Sequence, residues 1–116
     1  MKELENQILK VQDLEKFYDN GTKAVNGINL KLYQDQIFIL LGHNGAGKTS
    51  TIGVLSGLLE PTNGGAKVFG KNLCGDNYDA RQIMGVCPQY DVLFDLLTPE
   101  EHLDFFYELK GAPVDI

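Results

Sequence analysis

The spacing of apolar positions changes several times along this chain, and each change predicts a different element. Between Ile8 and Tyr18 the apolar residues Ile8, Leu9, Val11, Leu14 and Phe17 predict a first strand, and Asp19-Asn20-Gly21 predicts a turn after it. From Ala24 to Tyr33, Ile28, Leu30 and Leu32 alternate with Asn29 and Lys31. Such alternation gives a strand one wet face, so the first two strands are expected to form an antiparallel layer. Ile37-Phe38-Ile39-Leu40-Leu41 is apolar on both faces, the pattern of a central parallel strand covered on both sides. Glycines follow, then a helix with Ile52, Leu55 and Leu59 at helical spacing, closed by the loop Glu60-Pro61-Thr62-Asn63-Gly64-Gly65.

Lys67-Val68-Phe69 reads as a short strand before Gly70, and Tyr78 to Gln82 as a short helix. Ile83-Met84-Gly85-Val86-Cys87 reads as a second buried strand, stopped by Pro88. A final helix starts at Thr98-Pro99-Glu100-Glu101, where Thr98 caps, Pro99 suits the first helical position and Glu101 completes a capping box. It is expected to run to Leu109, with Gly111 past its end and an apolar face of Leu103, Phe105, Phe106 and Leu109. Strands and helices in this order predict an α/β fold: parallel strands with helices, preceded by an antiparallel β layer.

Composition narrows the function class. With 116 residues the chain suits at most one domain, and 43% hydrophobic with 22% charged residues is ordinary for a globular protein. A net charge of -6 argues against a nucleic-acid partner, which calls for a basic patch. It does not exclude a nucleotide, because a few local donors outweigh a global charge. No apolar run is long enough for a membrane span, and the opening Met1-Lys2-Glu3-Leu4-Glu5-Asn6-Gln7 has no apolar signal-peptide core. Cys74 and Cys87 lack partners at metal-ligand spacing and are expected to be free thiols, Cys87 as a buried small apolar side chain.

The glycines after the predicted central strand carry the chemistry. Gly42-His43-Asn44-Gly45-Ala46-Gly47-Lys48-Thr49 fits G-x-x-x-x-G-K-[ST], the phosphate-binding loop. Gly42 and Gly47 let the backbone turn tightly and approach phosphate without a Cβ in the way. Successive N–H groups then form an anion-binding nest, reinforced by the helix N-terminus that begins near Lys48. Lys48 brings a point charge to the β- and γ-phosphates, the Thr49 hydroxyl is placed to ligate Mg²⁺, and Ser50 offers a hydroxyl to the α-phosphate. His43 is expected to be an exposed loop residue.

With Gly45 and Ala46 inside this loop, the chain resembles the ATP-binding domain of ABC transporters from about Ile8 to Gly111. The loop form Gly-His-Asn-Gly-Ala-Gly-Lys-Thr is similar to that of the A subfamily. Leu58-Leu59-Glu60-Pro61-Thr62, with Gly64 or Gly65, looks like the family's exit from the loop helix; Gly64-Gly65-Ala66 departs from its usual Ser/Thr-Gly pair. Gly85 to Thr98, followed by Glu101-His102-Leu103, looks like the A-subfamily segment around the Q-loop. The resemblance implies ATP and Mg²⁺ as ligands, with Asn44, Gly45, Ala46, Gly47, Lys48, Thr49 and Ser50 around the phosphates. It implies that Gln89 contacts Mg²⁺ and the attacking water and links to the membrane domain. It implies that Tyr18 stacks on adenine, with Phe17 as the fallback. Lys48 and Gln89 are the implied catalytic residues.

The same resemblance implies a second ATP-binding domain facing the first across ATP, and transmembrane domains that meet the Q-loop region at the cytoplasmic face. The family's signature motif, Walker B aspartate, catalytic glutamate and switch histidine are expected beyond Ile116. The chain thus reads as the N-terminal part of one such domain, weak in binding and negligible in hydrolysis alone. Leu55-Ser56-Gly57 lies inside the loop helix and is no signature motif; Val92-Leu93-Phe94-Asp95 comes too soon after Gln89 to be a Walker B strand. His102 is expected to be a helix-surface residue. The implied function is ATP hydrolysis driving transport, of lipids in most of the subfamily. The alternatives are an ABC-type ATPase without a membrane partner and a binding-only product. A GTPase is disfavoured because no Asn-Lys-x-Asp occurs.

Overall fold

The computed structural model describes residues 6–43, 45–75 and 78–111. The chain divides into two packing units, Met1–Met84 and Gly85–Ile116. In the first, β1 (Gln7–Phe17), β2 (Lys23–Tyr33), β3 (Asn63–Val68) and β4 (Lys71–Asn72) form one sheet in the order β2-β1-β3-β4. Every pairing is antiparallel, as the alternation in β2 predicts.

The uneven apolar spacing of β1 has a structural cause. Leu9, Val11 and Leu14 are all buried, although the last step is three residues rather than two. A bulge between Val11 and Leu14 absorbs the extra residue: Asp13 takes φ 46°, and the register shifts there against β2. Asn29 on β2 secures it, accepting from Asp13 N–H at 3.0 Å and donating to the Asp13 carboxylate at 3.1 Å. On the other side Gly64, at φ 70°, lies so close to the Asp13 carbonyl that a Cβ there would overlap it.

β3 begins earlier than the sequence suggests. Asn63-Gly64-Gly65, expected as loop, is strand, because β1 has a second edge whose backbone groups need partners. Phe69, expected as strand, is turn: Phe69-Gly70 joins β3 to β4 with φ 46° and 76°, the signature of a two-residue primed hairpin turn.

The loop helix is α1 (Lys48–Leu55), and α2 covers Tyr78–Gln82 as expected. Val54 from α1, Ala80 from α2 and Leu73 join the buried sheet residues in one core. The run 37–41 differs from expectation. No strand is assigned there, and Ile37, Ile39 and Leu41 are 94%, 70% and 84% exposed. The run 83–87 likewise has no strand pairing. A strand is completed only by hydrogen bonds to a neighbour, and among the described residues neither run is paired in a sheet. The apolar pattern records burial that these residues alone do not supply.

In the second unit, α3 (Pro99–Leu109) starts and stops where predicted. The Thr98 hydroxyl accepts from the Glu101 N–H, with Pro99 opening the helix. The expected apolar face is present, but no residue of α3 is buried. Phe94 meets Phe105 edge-on at 5.3 Å between ring centres. His102 is not a plain surface residue. Its Nε2 accepts from the Phe94 N–H at 2.9 Å, and Nδ1 lies 2.7 Å from the Thr98 carbonyl, which fixes the Nδ1–H tautomer. Cys87 is exposed rather than buried, since the strand expected to enclose it does not form; Cys74 is partly buried, and both are free thiols.

Leu14 has no exposed surface. Leu14→Ala is expected to lower stability by about 2–5 kcal/mol, read as a shift in the urea midpoint with the slope unchanged.

Candidate nucleotide site

Helices α1 and α3 solve the same problem in opposite ways. The first N–H groups of any helix lack intrahelical partners. At α3 the chain supplies them itself, with Thr98 as cap and Glu100 and Glu101 in the first turn. At α1 there is no side-chain cap and no acidic residue in the first turn. The residue in the cap position is Gly47, at φ 89°. A helix start with free donors and a favourable dipole suits an anion, and the sequence keeps competing carboxylates away from it.

The loop before α1 is shaped by backbone contacts. Gly45 and Gly47 both lie in the left-handed region, at φ 87° and 89°. A Cβ on Gly47 would overlap the carbonyl oxygen of Ala24 on β2, so this glycine permits a close seat of the loop on the sheet. A Cβ on Gly42 would come within 3.0 Å of the Ala46 Cβ, which keeps the loop's two ends together. Ala46 N–H donates to the His43 carbonyl at 3.1 Å. Asn44 lies outside the described residues. His43 is exposed, as expected.

The Lys48 ammonium donates to the Gly42 carbonyl, so its charge is folded back over the loop. Thr49 is exposed. Thr51, by contrast, is buried and turns its hydroxyl onto the Gly47 carbonyl at 2.8 Å. Of three successive hydroxyl residues, the last is structural.

Tyr18 is brought to this helix. It sits where β1 enters the hairpin, with its N–H on the Thr22 carbonyl at 2.9 Å and its carbonyl accepting from Gly21. Its phenol oxygen lies 2.9 Å from Ser50 Oγ. The Lys16 ammonium lies 5.3 Å from the Tyr18 ring centre and donates to the Glu60 carbonyl at 2.8 Å, tying β1 to the loop after α1. Phe17, the alternative aromatic, is instead faced by Lys23 at 5.5 Å. The Tyr18–Ser50 bond is absent from the sequence reading, because nothing in the spacing of two residues 32 positions apart signals it.

Gln89 belongs to the second unit, directly after Pro88 at a bend in the chain, and is exposed. Among the described residues no helix is long and apolar enough to cross a membrane, and no cluster of three or more His, Cys, Asp or Glu forms a metal site. A phosphate-bound Mg²⁺ does not require such a cluster, since a single hydroxyl, phosphate oxygens and waters can complete its shell.

Residues 25–114 match the family model described as ABC transporter. The human protein named Phospholipid-transporting ATPase ABCA3 is 48% identical over 89% of this chain and 6% of its own length. The rat protein named ATP-binding cassette sub-family A member 2 is 46% identical over 90% of this chain and 4% of its own length. The chain therefore spans a small fraction of these curated relatives. Among solved structures, an ATP-binding subunit of an ABC transporter aligns with TM-score 0.80 and 30% identity, over 91% of this chain and 44% of that one. The cbiO1 protein of Clostridium perfringens aligns with TM-score 0.55 and 34% identity, over 58% of this chain and 27% of that one. The α/β ATPase fold expected from the sequence is the fold of these neighbours.

The two left-handed glycines of the loop, Gly45 and Gly47, are not equivalent. Gly45 has open space around its Cβ position, whereas Gly47 faces backbone. Gly45→Ala is expected to cost about 1–2 kcal/mol from its left-handed conformation alone. Gly47→Ala is expected to cost more and to unseat the loop, seen as a larger drop in thermal midpoint.

Proposed function

We propose that this chain, which belongs to the ABC transporter family and within it to the A subfamily, binds ATP with Mg²⁺ through the loop Gly42–Thr49. The observation that supports this best is the uncapped start of α1, with Lys48 and the exposed Thr49 in its first turn. The loop's N–H groups cradle the β- and γ-phosphates, and Lys48 leaves the Gly42 carbonyl to meet them. Gly45, Ala46 and Gly47 supply backbone, Ser50 its hydroxyl to the α-phosphate, and Asn44 completes the loop. Mg²⁺, when bound, would neutralise charge on the phosphates; Thr49 would hold it from the loop, and the family resemblance gives Gln89 a role toward it. Tyr18 offers its ring to adenine.

In the whole protein, the chain is read as the N-terminal part of one ABC-type ATP-binding domain, from the phosphate loop to just past the Q-loop. Two such domains sandwich ATP, and hydrolysis drives transmembrane domains that meet the Gln89 region at the cytoplasmic face. Lys48 stabilises charge on the transferred phosphoryl group, and Gln89 orients the attacking water. The cargo is a lipid, as the name of the phospholipid-transporting relative suggests. That relative favours a transporter over an ABC-type ATPase without a membrane partner.

Lys48→Ala is expected to abolish binding of a fluorescent ATP analogue while leaving the circular dichroism spectrum unchanged. Retained affinity would exclude Lys48 as the phosphate ligand. Tyr18→Ala is expected to weaken ATP binding by about 1–3 kcal/mol, the range for an aromatic under a base, measured by titration calorimetry. An unchanged affinity there would shift the role to Phe17 or remove it.

A further inference from the structure

Tyr18 carries a feature that stacking on a base does not use. Its phenol oxygen is 2.9 Å from Ser50 Oγ. Ser50 is 9% exposed and lies in the first turn of α1, the turn that follows the phosphate loop. The ring is held in place from two further sides. Its backbone is fixed by the hairpin bonds to Thr22 and Gly21, and the Lys16 ammonium stands over its face while anchored on the Glu60 carbonyl.

We propose that the Tyr18 hydroxyl is a positioning group for phosphate, acting through Ser50. This rests on the reading of Gly42–Thr49 as a nucleotide site. A hydroxyl has one proton to give and two lone pairs to accept with. A phenol is the more acidic of the two hydroxyls, so it is the better donor. With Tyr18 donating to Ser50 Oγ, the Ser50 proton is left free for a phosphate oxygen. The phenol also polarises the serine hydroxyl, so the second bond gains from the first. Without the phenol, the Ser50 hydroxyl rotates freely and must be ordered by the ligand itself. The two halves of Tyr18 thus serve different parts of the nucleotide: the ring the base, the hydroxyl the phosphate chain.

Inorganic tripolyphosphate with Mg²⁺ separates these roles because it has no base. Tyr18→Phe keeps the ring and removes the hydroxyl. It is expected to weaken binding of tripolyphosphate and of ATP by the same factor, about 3- to 10-fold, the range for one hydrogen bond. Ser50→Ala is expected to do likewise, and the double variant to lose little more than either single one, since both remove one relay. Tripolyphosphate affinity unchanged by Tyr18→Phe, or losses that simply add in the double variant, would overturn the proposal while leaving the nucleotide site intact. A wild-type protein that binds neither ATP nor tripolyphosphate would overturn the nucleotide reading itself and this inference with it. Thermal melts of each variant, expected to differ little from wild type, exclude loss of fold as the cause.

Discussion

The seat of Gly47 on the Ala24 carbonyl is the constraint from which the candidate site follows. A left-handed residue at that position turns the chain from loop into helix, and the lack of a Cβ lets it touch the backbone of β2. Because the contact is backbone to backbone, it fixes the start of α1 relative to the sheet without depending on a rotamer. Lys48, Thr49 and Ser50 then follow on the first turn, and their side chains diverge from a fixed origin. Lys48 returns over the loop to Gly42, Thr49 is exposed, and Ser50 turns inward to Tyr18.

The sheet that provides this seat is held by irregularities rather than by ideal pairing. The bulge at Asp13 is braced by Asn29 from β2 and needs Gly64 from β3, so one local departure involves three strands. It also keeps Leu9, Val11 and Leu14 on one buried face despite their uneven spacing. At the far end of β1, Thr62 and Glu60 receive bonds from Phe17 and Lys16, which binds the loop after α1 to the strand that leads into Tyr18. Core packing and site geometry therefore share the same strand.

The second unit shows a different economy. Its helix α3 is capped by its own residues, and within the unit His102 joins the Phe94 N–H to the Thr98 carbonyl. The aromatic rings of Phe94, Phe105 and Phe106 meet edge-on but remain substantially exposed. Gln89 lies at a bend in the chain that precedes this cluster.

The sequence by itself determined whatever depends on near neighbours. The glycine loop that opens α1, the bounds of α3, the Asp19-Asn20-Gly21 turn and α2 were legible because caps, turn residues and glycine spacing act within a few positions. β2 was legible because its apolar face repeats, and β1 because an apolar segment ends at a turn signal. Only the tertiary structure decided which edges pair and which residues meet across distance. It turned Asn63-Gly64-Gly65 into strand, because β1 had a free edge to fill. It left the apolar runs 37–41 and 83–87 unpaired, because apolarity reports a demand for burial but does not supply the neighbouring strand. It set Tyr18 against Ser50, and His102 between Phe94 and Thr98, because hydrogen bonds between side chains depend on where the backbone has already been carried, and spacing along a chain does not encode that.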